Sequence, residues 1–132
     1  MAYVDFLSTV HKSTKRDYVA RVTEFPKAEV KPFLREASAA KLPFPDGSFD
    51  LVISLNTLHN LHCYDLYDAL REIERVGRRH KYLCVESWRT EEEKANLLYW
   101  QFTCETFCTP RGWDWWFART GYSGDHSFIF FE

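Results

Sequence analysis

Apolar positions along this chain follow two patterns, a helical repeat in some segments and short unbroken runs in others. From Asp5 to Val22, Leu7, Val10, Thr14 and Tyr18 form one stripe, with Lys12, Lys15 and Arg16 off it, which predicts a helix. Pro26 and Pro32 break the next stretch into a connector. The alanines and Glu36 within Phe33–Lys41 favour a helical turn there. The tight turn Pro45-Asp46-Gly47-Ser48 then delivers the chain into an apolar strand, Phe49 to Leu55. Tyr64 to Val76 reads as a helix with Leu66, Ala69, Leu70 and Ile73 inward, closed by Gly77 in the left-handed conformation. Tyr82 to Val85 is a second strand, opening at Glu86-Ser87-Trp88 onto the same rim as Asn56. Thr90 with Glu91, Glu92 and Glu93 is a capping signature for a helix running to about Phe107. Thr109-Pro110 opens a further helix that Gly121 ends, and Phe128 to Phe131 is a closing strand.

Strand, helix, strand, helix and closing strand is half of a doubly wound α/β unit. At 132 residues the chain is read as one domain, with a helix and connector over residues 1–36 and the α/β part over 37–132. Hydrophobic residues at 45% and charged residues at 27% exclude a disordered or fibrous chain. A net charge of −2 removes the electrostatic case for nucleic acid or an anionic membrane. Asp5 and His11 interrupt any signal-like run, and no stretch approaches the roughly 20 apolar residues that span a bilayer. A cytoplasmic location is expected. The four cysteines form no Cys-x-x-Cys pair, so reduced, partly buried thiols are expected rather than a metal site or disulfides.

The stretch Ala39-Ala-Lys-Leu-Pro-Phe-Pro-Asp-Gly-Ser-Phe-Asp-Leu-Val52 resembles a segment of class I S-adenosylmethionine-dependent methyltransferases, "ala-x-x-leu-pro-phe-x-asp-x-ser-phe-asp-x-val", which carries the loop after their third strand and their fourth strand. Ala69-Leu-Arg-Glu-Ile-Glu-Arg-Val76 resembles the family's next helix, and His80-Lys-Tyr-Leu-Cys-Val-Glu-Ser87 its fifth strand. Gly121 to Phe131 and His11 to Arg21 are similar to the terminal strands and the N-terminal helix of a bacterial small-molecule branch. The implied fold is a truncated Rossmann-like methyltransferase sheet, from the fourth strand onward, with flanking helices. On this parallel, Phe33–Lys41 is the remnant of a strand, an alternative to the helical turn that stays open. The family's first two strands, its glycine-rich loop and its ribose-binding acid have no counterpart between Arg21 and Ala37; the first glycine of the chain is Gly47.

In an open parallel sheet, ligands gather at the carboxyl ends of the strands, which directs attention to Asn56, Thr57 and His59. Methyl transfer needs in-line positioning and sometimes a base, and His59, with a pKa near neutrality, is the candidate. The resemblance implies that Ser54, Leu55 and Asn56 line the methionine end of S-adenosylmethionine. It also sets Ser38, in place of an aspartate, and the Ala39 N–H at the adenine. Candidate substrate contacts are His11 and Arg16, for an anionic group, and Tyr64, Trp88 and Trp100, whose aromatic faces attract cations. Plainer readings stand beside these. His59 can be a structural group, Asn56 can satisfy loop backbone, the basic run can be a solvated helix face, and the tryptophans can be core.

The missing strands also have a mechanical consequence. In the full family fold the fourth strand is hydrogen-bonded to the first; here Leu51–Leu55 becomes an apolar edge that invites another chain or a covering N-terminal helix. The expected partners are a small-molecule substrate and a second copy of the chain, with neither nucleic acid nor membrane. Two functions fit the sequence: a methyltransferase of small molecules, or a non-catalytic remnant or binding module that keeps the scaffold. An internal deletion with no selected activity is a third possibility.

Overall fold

A short parallel pair, β1 (Tyr3–Asp5) with β2 (Leu34–Glu36), stands apart from a three-stranded parallel sheet, β3 (Phe49–Leu55), β4 (Gly77–Glu86) and β5 (Asp125–Ile129), ordered β3-β4-β5. The computed structural model describes residues 3–5, 31–101 and 104–132. Parallel neighbours need crossovers, supplied by α1 (Cys63–Val76) between β3 and β4, and by α2 (Glu91–Trp100) and α3 (Pro110–Thr120) between β4 and β5. This is the expected truncated Rossmann-like α/β arrangement.

One face of the sheet carries the core. Leu66, Ala69, Leu70 and Ile73 of α1 are fully buried with Leu83 and Val85 of β4 and with Trp113 and Phe117 of α3. The opposite face is defined by alternation along β3. Val52 packs against the core, whereas Leu51, Ile53 and Leu55 are 55%, 50% and 57% exposed.

The loop before β3 is tied down by α1. Arg75 donates to the Leu42 and Phe44 carbonyls at 3.2 and 2.8 Å, and pairs with Asp46 and Glu72, each at 2.7 Å. Glu72 accepts the Leu42 N–H at 2.7 Å, and the Arg75 guanidinium holds its carboxyl below the ordinary value. Gly47 turns the loop at φ 60°, a left-handed conformation that glycine adopts without strain. We expect Arg75→Ala to lower stability by about 2 kcal/mol, because two carbonyls and a half-buried carboxylate lose their donor together. Urea denaturation measures it.

Several boundaries differ from the sequence expectation. Asp5 ends β1 instead of opening a helix, and the helix expected to Val22 lies otherwise outside the described residues. Over Phe33–Lys41, the strand remnant prevails at Leu34–Glu36, after a 3-10 turn at Lys31–Phe33. Gly77 is extended, at φ −83°, and opens β4 directly rather than closing α1 in a left-handed cap. Its small size matters for space: a Cβ there would meet Lys81 Cγ at 2.8 Å and the Ile73 carbonyl at 3.0 Å. Helix α2 stops at Trp100, well short of Phe107, because the chain beyond it is held by other partners. The Glu105 and Thr106 N–H groups both donate to the His59 carbonyl at 3.0 Å, and the Thr106 hydroxyl donates to the Leu61 carbonyl at 2.6 Å. The last strand begins at Asp125, three residues before the expected Phe128.

Other local signals translate directly. The Thr90 and Thr109 hydroxyls accept the Glu93 and Gly112 N–H groups at the starts of α2 and α3, and Gly121 closes α3 at φ 74°.

Candidate functional site

The carboxyl ends of β3 and β4 meet in one rim. At the end of β3, Asn56 takes φ 52°, a left-handed conformation uncommon outside glycine, while its N–H still donates to the Cys84 carbonyl of β4 at 2.9 Å. Its side chain is exposed on the rim. The turn is braced by Thr57 Oγ1, which donates to the Leu55 carbonyl at 2.9 Å. From there a 3-10 turn, Leu58–Asn60, drives Leu58 and His59 into the interior.

His59 therefore lies beneath the rim, with no exposed surface. Its Nδ1 accepts the Glu86 N–H at 3.4 Å, which leaves the proton of the neutral ring on Nε2, 3.3 Å from Glu86 Oε2. Glu86 is buried as well; Gln101 Nε2 donates to its Oε1 at 2.6 Å, and Trp113 Nε1 donates to its carbonyl at 3.0 Å. Burial lowers the His59 pKa to about 4 and raises that of Glu86, against the Gln101 hydrogen bond. Both shifts favour the uncharged forms. Among the described side chains neither charge has a second compensating partner, so burial works against the charged form of each.

The remaining candidates are dispersed. Ser54 is buried, and its Oγ has no hydrogen-bond partner among the described residues. Ser38 is exposed in a turn, where its Oγ accepts the Ala40 N–H at 3.2 Å, whereas the Ala39 side chain belongs to the core. Trp88, just past β4, stacks under the Lys94 ammonium at 4.6 Å. Trp100 is exposed at the end of α2, beside the Gln101 that reaches Glu86. Tyr64 faces elsewhere, into an open groove of about 390 Å³ that it lines with Tyr67, Trp115, Trp116 and Arg119. Trp88 and Trp100 do not line that groove. His11 and Arg16 lie outside the described residues. The structure thus unites Ser54, Leu55 and Asn56 with the end of β4, and separates Tyr64 from the two tryptophans.

Gln101 escaped the sequence reading, since only the premature end of α2 aims it at Glu86. A signal for Glu86 was available: an acidic residue closing the apolar run Tyr82 to Val85. The cysteines are free thiols, and burial pushes the Cys104 pKa up to about 12, away from reactivity. Among the described residues there is no group of three or more metal-ligating side chains, and no helix long and apolar enough to cross a membrane.

A nucleoside sulfonium cofactor needs polar groups for its amino acid end, hydroxyl acceptors for its ribose and close backbone approach at glycines. The rim offers the exposed Asn56 amide and lies close to the unpartnered Ser54 hydroxyl. Among the described residues the acid at the end of β4 is the buried Glu86, whose pKa burial raises. Gly47, the first glycine, sits at the opposite, amino end of β3. The described residues fit one end of such a cofactor and not the rest.

A parallel α/β sheet with crossover helices is a Rossmann-like fold. The profile of the methyltransferase domain family matches residues 3–85, and the chain belongs to that family. The crystal structure of the YcgJ protein from Bacillus subtilis is similar in fold, with a TM-score of 0.56 at 18% identity over 89% of this chain. The match covers 50% of the YcgJ chain, so this chain spans about half its length. No curated protein sequence matches.

Proposed function

We propose that the chain is an S-adenosylmethionine-dependent methyltransferase of small molecules whose cofactor site is completed by a second polypeptide. The observation that carries this reading is Asn56, held at φ 52° on the β3 rim of a methyltransferase-family domain. Strained backbone at a strand end costs about 1–3 kcal/mol and is typically retained where a ligand is met. On this reading Asn56 and Ser54 address the methionine end of the cofactor. His59 and Glu86 set the position of the rim from below, and Trp88 and Trp100 face the substrate. Four free thiols, with Cys104 and Cys108 pushed up by burial, suit a reducing compartment and hence the cytoplasm.

A second reading, a non-catalytic binding module, is favoured by the complete burial of His59, which withdraws the imidazole at the β3 rim from any substrate that would need it as base. Calorimetric titration with S-adenosylmethionine and S-adenosylhomocysteine, with the mass measured by light scattering, separates the two. Micromolar binding by an oligomer, weakened by Asn56→Ala, is the expected result. Absence of binding at millimolar ligand would overturn the enzyme reading and leave the module.

A further inference from the structure

The free side of β3 has the properties of an unfinished sheet. β3 is the terminal strand of the order β3-β4-β5, and among the described residues no strand lies on its other side. Backbone direction follows from one hydrogen bond. The Asn56 N–H points to β4, so alternation sends those of Ser54 and Val52 the same way and leaves those of Leu51, Ile53 and Leu55 on the open side. Natural edge strands are usually blunted by a bulge, a proline or a lysine. Here the strand reads Phe-Asp-Leu-Val-Ile-Ser-Leu, with none of these. The one register irregularity lies on the inner strand: Phe49 pairs with Gly77 and Leu51 with His80, which puts the extra residue in β4 and leaves β3 regular.

We propose that β3 pairs antiparallel with β3 of a second copy, about a two-fold axis through Val52, to join two three-stranded sheets into one of six. The choice of a second copy rests on self-complementarity. With Val52 facing Val52, each Leu51 lies opposite the second copy's Ile53, and each Phe49 opposite its Leu55. All the outward N–H and carbonyl groups then fall in hydrogen-bonded pairs. The exposed apolar stripe continues from one chain into the next. The strand's single charge, Asp50, already paired with Arg78 at 2.6 Å, comes opposite Ser54 and meets no like charge. The pairing stands independently of cofactor binding.

Sedimentation velocity of the full chain, from micromolar to submillimolar concentration, tests it. The expected species has twice the chain mass of 15.7 kDa. Ile53→Lys places an ammonium beside the axis on a side chain already half exposed, and should give a monomer with unchanged circular dichroism. Ile53→Pro deletes an outward N–H without touching the β3–β4 ladder, and should also give a monomer. A wild-type monomer throughout, as when residues 6–30 cover the edge, would overturn the proposal. So would a dimer that survives both substitutions. A dimer that binds no S-adenosylhomocysteine would leave the pairing intact and remove the enzyme reading alone.

Discussion

Replacing Trp113 by alanine should destabilise the fold by about 3–5 kcal/mol, the range for deleting a fully buried aromatic side chain. Trp113 has no exposed surface, stacks on Phe117 with ring centroids 6.0 Å apart, and belongs to the core shared by α1, α3 and β4. Its indole N–H also donates to the Glu86 carbonyl at 3.0 Å, so truncation both opens a cavity and leaves a buried acceptor unmet. Trp113→Phe keeps most of the apolar volume and loses the hydrogen bond, and should cost about 1–2 kcal/mol. Urea denaturation followed by circular dichroism measures both. Equal losses for the two variants would mean that the Glu86 bond, not the packing, holds α3 against the sheet. Because Glu86 ends β4, the same substitution should also loosen the rim that carries Asn56.

Acidification is the second large expected effect. His59 has a pKa near 6.5 when unfolded and about 4 when folded. Between those values the unfolded chain binds the extra proton, so stability is fully present above pH 6.5 and falls as the pH drops to about 4. For His59 alone the shift corresponds to about 3 kcal/mol. Glu86 works in the opposite sense. Its folded pKa is raised, so the penalty for ionising it is present at higher pH and is relieved as the pH falls through its folded value. The wild-type acid slope should therefore be shallower than the His59 contribution. Glu86→Gln keeps an acceptor for Gln101 and removes the opposing titration, so its slope between pH 6.5 and 4 should be steeper than that of the wild type. Denaturation midpoints across this window provide the test. A shallower slope in Glu86→Gln would contradict a Glu86 pKa raised by burial.

Local chemistry explains what could be read in advance. Phe49–Leu55 is a strand because a turn, an apolar run and a polar rim come one after another. Thr90, Thr109-Pro110 and Gly121 mark helix ends because their side chains, ring or backbone freedom act within one turn. The misreadings are tertiary. Gly77 looks like a helix stop, yet the chain passes straight into β4, and its size serves the contact with Lys81 and Ile73. Helix α2 ends early because the His59 carbonyl captures the N–H groups of Glu105 and Thr106. The same limit applies at the site. Asn56 at the strand end is legible from the alternation of β3, and the family motif around it is specific. The burial of His59 is not legible, since it depends on a 3-10 turn and on a carboxyl 27 residues away.

In the proposed pairing β3, the terminal strand of the three-stranded sheet among the described residues, completes that sheet with β3 of a second copy. Amide hydrogen exchange at Leu51, Ile53 and Leu55, the outward-pointing groups of β3, tests this most directly when compared at submillimolar and at low micromolar protein. Slow exchange that becomes fast on dilution, while Val52 and Ser54 stay protected by β4, is the expected result. Exchange at Leu51, Ile53 and Leu55 that does not change with concentration, whether fast or slow, would contradict it.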